Sequence, residues 1–378
     1  MIYQISIKTD NVLFFGDSRP KGYNNYGCNW PLPCTFFSAF ASALHRVYPD
    51  CDTITAGLNT AGPFPQDAED LYFPTPADLI PGGYLLPLKN APGQNNLPPP
   101  LKHVMYAQNS LSKEKTNPWI SASQLERYLR GESAIKTTPA GELYQAEKRV
   151  GIGIDNAVLT AEEHVFYTAE YMRMASTAGM TAFVWLEPDT EQRLATMLNQ
   201  PFDFTFGGQR GVISIECGRN MNKFALPITP PTTDSRLVKY ITLSPMLSSQ
   251  GWLPGFVDER TGKVLIRSGE VKREDFSNRS EWRQALQNQP MIEAELVAAA
   301  VGKPVVWSGW GNHEYKSGPG ATRLLIPAGS VFYFEAASAA EADKLRSALN
   351  APGKSESMGT QGLGLGICGS YEYIESIH

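Results

Sequence analysis

The chain has 378 residues, enough for two ordinary domains, each with a buried core. Hydrophobic residues make up 42% and charged residues 19%, which excludes wholesale disorder; no apolar run approaches about 18 residues, which excludes a helical membrane span. A net charge of −5 argues against a nucleic-acid binder that uses its whole surface, but a local basic groove stays open, because phosphate attraction depends on nearby charge.

Taken in chain order, Tyr3–Lys8 alternates apolar and polar residues and reads as a half-buried strand. Thr35–Tyr48 carries Phe36, Phe37, Phe40, Ala43, Leu44 and Val47 at helical spacing, with Pro33 before it and Pro49 ending it. Pro74–Pro100 holds eight prolines, which no helix or central strand tolerates, so about 50–148 reads as a Pro-rich insertion. Within it we expect short strands such as Tyr84–Leu88 and a short helix at Ser121–Arg130. Arg149–Ile154 and Val165–Met172 read as a hairpin, Thr181–Leu186 as a strand, and Asp189–Leu198 as a helix capped by Asp189 or Thr190. Gly207-Gly208 leads into a strand at Gly211–Glu216.

Gly218–Ser235, with three prolines, reads as a linker. Beyond it, Leu237–Leu243 is expected as a strand, Glu281–Val301 as a helix broken near Pro290, and Pro304–Trp310 and Ser330–Glu335 as strands. A helix at Ala339–Leu349 and a strand at Ile367–Ile374 complete the order. The expected class is α+β: two tandem ferredoxin-like, RRM-type domains of β-α-β-β-α-β order, at 1–218 and 236–378, joined by 219–235.

Five cysteines cannot all pair, and no two form a CxxC. With five histidines and no Cys/His cluster, neither a zinc site nor any other metal site is expected. Reduced thiols, and an opening without a basic head or apolar signal core, point to a cytoplasmic protein. Charge is uneven. Between Val47 and Leu88 there is no Lys or Arg but six acids, while Arg210–Lys239 carries five basic residues against two acidic ones. The second segment is the better phosphate-facing candidate.

The sequence Gly359-Thr-Gln-Gly362-Leu-Gly364-Leu-Gly366 lies between a predicted helix and a predicted strand. A dinucleotide-binding fingerprint needs the reverse order, strand then glycines then helix, so a nucleotide cofactor is disfavoured. The glycines fit either a close approach to a polyphosphate or ribose, or a tight loop packed against a partner domain.

A Gly-rich loop between the last helix and last strand of such a domain resembles the RAMP superfamily of CRISPR proteins. Leu13-Phe-Phe-Gly-Asp-Ser-Arg-Pro20, Arg149-Val-Gly-Ile-Gly-Ile-Asp155, Thr160-Ala-Glu-Glu163, Phe206-Gly-Gly-Gln-Arg210 and Pro327-Ala-Gly-Ser-Val331 are similar, in the same order, to blocks of the subunit-three family of the type III-B Cmr complex. Gly16 stands where that family usually has a basic residue, which shifts the expected phosphate contacts of the loop to Arg19 and Lys21. The resemblance implies a non-catalytic, cofactor-free subunit that caps the 5′ handle of the guide RNA. Its implied partners are the large polymerase-like subunit and the backbone RAMP subunits, with target RNA met only indirectly and no membrane.

RNA handles are held by basic grooves, backbone donors and aromatic platforms. The candidates are Arg19, Lys21, Arg149, Gly207, Gly208, Arg210, Lys223, Arg236, Lys239, Trp310 and the loop glycines Gly359, Gly362, Gly364 and Gly366. A competing reading is a metal-independent guide-processing endoribonuclease with His45 as general base. A further one is a scaffold that touches only neighbouring subunits.

Overall fold

The computed structural model describes all residues except 1, 17–23, 49–54, 56, 69, 92–95, 108–113, 156–159, 209–210, 220–225, 270–274, 314–315, 351–352 and 377–378. Strand β1 (Ile2–Lys8) follows the alternation of its sequence, with Ile5 and Ile7 buried. After the short β2 (Asn24–Gly27), helix α1 (Pro33–Val47) opens on proline, where a missing N–H costs nothing, and buries Phe36, Phe40, Ala43 and Leu44 against the sheet. Phe37 packs only partly buried against this core and Val47 is exposed, so the buried stripe is narrower than the sequence pattern.

Strand β3 (Asn59–Gln66) was not expected, because Pro63 and Pro65 sit within it. It lies at the edge of its sheet, where a residue without an N–H is tolerated. The stretch 50–148 thus contributes a strand to the first sheet. Between residues 72 and 143 the chain then builds β4 (Tyr72–Pro74), β5 (Leu79–Ile80), β6 (Gly83–Leu88), β7 (Val104–Ala107), β8 (Trp119–Ser121) and helices α2 (Ala122–Leu129) and α3 (Ala140–Leu143). The Ser121 side chain caps α2 by accepting from Gln124 N–H. β9 (Tyr144–Asp155) and β10 (Thr160–Met174) form the expected hairpin, but in a separate sheet with β2. β11 (Gly179–Trp185), α4 (Pro188–Leu198), β12 (Phe202–Thr205) and β13 (Val212–Arg219) complete the first half. Helix α4 starts one residue earlier than predicted: the Glu191 N–H already bonds to the Glu187 carbonyl, so Asp189 lies in the first turn and is not its cap.

The second half comprises β14 (Leu237–Thr242), β15 (Met246–Leu247), α5 (Arg279–Asn288), β16 (Ala294–Ala300), β17 (Val305–Trp307), β18 (Trp310–His313), β19 (Lys316–Pro319), β20 (Arg323–Ile326), β21 (Val331–Ala336), α6 (Ala339–Leu349) and β22 (Gly366–Ser370). The predicted helix over Glu281–Val301 is corrected: it stops at Asn288, and Ala294–Ala300 is a strand paired to β21. Alanine favours helix intrinsically, but here Leu296 and Val297 are buried in separate cores, and pairing with burial overrides propensity. The predicted strand Pro304–Trp310 is likewise split into β17 and β18, and the last strand stops at Ser370.

The two main sheets repeat one order. The first runs β12-β13-β1-β11-β3 and the second β22-β14-β21-β16, so in both the fourth strand of the unit lies beside the first, then the third, then the second. All pairs in these two sheets are antiparallel. Successive residues of β11 point to opposite faces: Met180, Ala182 and Val184 pack with α1, while Phe183 packs away from it. That second face meets Ile241, Val331, Tyr333 and Ile367 of the other sheet, with Phe73, Leu125 and Tyr128 between them. Leu226 and Ile228, from the segment read as a linker, are buried in this same shared core.

Candidate nucleic-acid interface

A cleft of about 740 Å³ runs between the two halves. Its floor is set by backbone. The Phe14 carbonyl accepts from the Gly208 N–H at 2.8 Å, beside Gly207 at φ +79°. A Cβ at Gly207 would stand 2.7 Å from that carbonyl and 2.8 Å from the Phe15 ring, so only glycine lets the two segments meet. One wall is Trp30, whose Nε1 donates to the Pro63 carbonyl at 2.8 Å and whose ring packs edge-on against Trp119. Asn29 Nδ2 donates to the Phe15 carbonyl at 3.0 Å. Helix α1 adds Thr35, Ser38 and Ser42, which share one face at helical spacing. The opposite wall is β17, Val305–Trp307, an edge strand of its sheet.

Among the described residues, no carboxylate lines this cleft. Two arginines stand near it. Arg46 reaches the Thr205 hydroxyl and the Ser42 carbonyl, both at 3.5 Å, and both residues line the cleft. Arg323 lies directly opposite Trp307 in the β17–β20 pairing, so its side chain leaves the same face of that ribbon. Neither arginine has a carboxylate partner among the described residues. A cleft whose described lining carries no acid, with indoles in its walls and two arginines nearby, suits a phosphodiester strand better than a cation or an apolar ligand.

A family model described as CRISPR-associated protein (Cas_Cmr3) matches residues 5–371. The chain belongs to this family. Its fold is similar to a chain of a Type III-B Cmr-beta complex solved by cryo-EM with cognate target RNA and AMPPnP, at 15% identity and TM-score 0.48, over 87% of this chain and 86% of that one. It is also similar to a chain of a Csm3-Csm4 subcomplex of the type III-A CRISPR-Cas interference complex, at 9% identity and TM-score 0.44, over 88% and 94% of the two chains. A chain of a Csm1-Csm4 cassette in complex with cA4 matches at 12% identity and TM-score 0.35, over 86% and 97%. No curated protein matches. Among the described residues, no helix is long and apolar enough to cross a membrane, and no group of three or more His, Cys, Asp or Glu could hold a metal.

Of the predicted contacts, Gly207 and Gly208 line the cleft. Arg19, Lys21, Arg210 and Lys223 lie outside the described residues; in sequence, Arg19 and Lys21 follow Gly16, and Arg210 follows Gly208. Arg149 is exposed but engaged: it pairs with Glu147 at 2.7 Å and sits over the Tyr171 ring at 5.3 Å. Arg173 and Arg149 together hold the Glu147 carboxyl down to about 2. Arg236 pairs with Glu335 at 2.7 Å, away from the cleft. Trp310 is on β18, and its side chain lies outside the described set. His45 is exposed near the end of α1, next to Arg46.

Two sets of candidates are corrected. Lys239 is buried, 4% exposed, and no RNA phosphate can reach it. Its Nζ lies 3.6 Å from the centre of the Tyr128 ring and donates to the Tyr128 carbonyl at 3.3 Å. Asp78 accepts from the Tyr128 hydroxyl at 2.7 Å and the Tyr333 hydroxyl at 2.5 Å, and attracts Lys239. Burial nevertheless dominates both: it lowers Lys239 to about 8 and raises Asp78.

The glycine loop is the second correction. Gly362, Gly364 and Gly366 are buried, and Gly362, at φ +91°, lies where a Cβ would come 2.9 Å from the Thr60 carbonyl. Thr60 N–H donates to the Thr360 carbonyl at 2.8 Å, so the loop clasps β3 of the first half. Gly359 packs on Gly353 instead. Sequence reasoning passed over Asn29, Arg46 and Arg323, because what unites them is a cleft that no local pattern encodes.

Proposed function

We propose that this chain is the subunit of a type III-B effector that binds and caps the 5′ handle of the guide RNA without cutting it. It would contact the large polymerase-like subunit and the first backbone RAMP subunit. We also assign each half as a ferredoxin-like unit, with the split near 219–235; the repeated strand order and the helices between the first and second and the third and fourth strands of each unit support that assignment.

The observation that carries the RNA reading is the cleft between the halves. Its described lining is free of acids, and its floor is built from the Phe14 and Gly207-Gly208 blocks that carry the family resemblance. Phosphate contacts there would act as a positional clamp and carry no base preference. The test is a guide with a photoactivatable 5′-terminal nucleotide, assembled with the other effector subunits. Crosslinked peptides should include Phe14–Gly16 or Val305–Ser308, and the guide should stay intact. Crosslinks confined to other polypeptides would refute the reading.

A further inference from the structure

We propose that Trp307 and Arg323, with Arg46 across the cleft, form a subsite for one nucleotide of single-stranded RNA: a base stacks on the Trp307 indole while its flanking phosphates meet the two guanidinium groups. This deepens the reading that the cleft takes RNA, and rests on it.

In the β17–β20 ribbon, Val305 pairs with Leu325 and Trp307 with Arg323. Side chains two apart on a strand share a face, so this face begins buried, with Leu325 1% exposed, and ends at an arginine in solvent beside a half-buried indole. The indole passes close to the backbone at Gly309. A Cβ at Gly309 would come 3.1 Å from its ring, so the glycine leaves space there that a side chain would fill. β17 is also an edge strand of its sheet. Opposite, Arg46 closes the last turn of α1 beside Thr205.

Charge complementarity selects the occupant. Both arginines lack a carboxylate partner among the described residues, and the described cleft lining contributes none. Two guanidinium groups alone would serve an acidic peptide equally well. The ring beside Arg323 adds stacking, which every base can use and an acidic side chain cannot. A volume of about 740 Å³ is in the range that encloses a nucleotide-sized ligand.

The test uses the full chain and a fluorescein-labelled oligo(U) of about ten nucleotides, with anisotropy measured between about 50 and 200 mM salt. Arg323→Gln and Arg46→Gln should each weaken binding severalfold and reduce the slope of log K against log salt by about 0.7. Trp307→Ala should weaken binding about tenfold with the slope unchanged, and Trp307→Phe should restore most of it. Both arginines are exposed, so their variants keep the wild-type thermal midpoint. If Trp307→Ala unfolds, the arginine series decides. Wild-type affinity and slope in both Arg323→Gln and Arg46→Gln, or wild-type affinity in a folded Trp307→Ala, overturn the subsite and leave the RNA reading standing. No salt-dependent RNA binding by the wild type overturns both. Displacement of RNA by a poly-glutamate peptide whose affinity matches that of RNA, insensitive to Trp307→Ala, assigns the arginines to an acidic peptide and overturns the subsite.

Discussion

Lys239 looks like a surface cation in the sequence and is a core residue in the fold. Its charge is compensated by Asp78, so Lys239→Met strands a buried carboxylate and should cost about 3 kcal/mol in urea unfolding. The double variant Lys239→Met/Asp78→Asn should recover most of that loss, because no buried charge is left alone. The pH dependence has a defined sign. Lys239 titrates at about 8 when folded against 10.5 for the free side chain, so between those values the unfolded chain binds more protons. The stability of the wild type relative to Lys239→Met should therefore rise from about pH 8 toward pH 10, and a fall would contradict the buried placement. Gly362→Ala forces a side chain into positive φ beside the Thr60 carbonyl, and should cost about 2 kcal/mol. Limited proteolysis between the halves would report the loosened clasp.

At the scale of elements, the correction at β16 is directly testable. Leu296 is fully buried on that strand, so Leu296→Ala should cost about 3 kcal/mol, whereas Leu286→Ala on the surface helix α5, which buries no residue, should cost under about 1 kcal/mol. Equal effects would favour one continuous helix. The β9–β10 hairpin shows the opposite relation between pattern and burial. Val150, Ile152 and Ile154 alternate as a half-buried strand should, and Phe166 pairs with Ile152, yet all four are exposed. Ile152→Lys with Phe166→Lys should leave the thermal midpoint nearly unchanged and lower self-association in sedimentation, since the change removes exposed apolar surface from an edge sheet. Periodicity made α1, α2, α6, β1 and this hairpin legible. It missed β3, because prolines signal a break unless the strand is known to lie at an edge, and that is a property of the sheet.

For the whole molecule, the shared core matters more than the boundary between halves. Phe183 from the first sheet and Tyr333 from the second bury into one cluster, together with Leu226 and Ile228 of the connection. Calorimetry should therefore show one cooperative transition, and fragments 1–218 and 236–378 expressed apart should each expose that apolar surface and aggregate. Two separated transitions would mean that the cluster contributes little.

By itself, the sequence determined the α+β class, the order of most elements, the family and the Phe14 and Gly207-Gly208 blocks, because hydrophobic period, turn residues and short motifs are local. Only the tertiary structure decided that Lys239 and the loop glycines are interior, that Ala294–Ala300 is a strand, and that Arg46 and Arg323 stand near one cleft. Burial and proximity arise from packing residues far apart in the chain, and no local pattern carries that information.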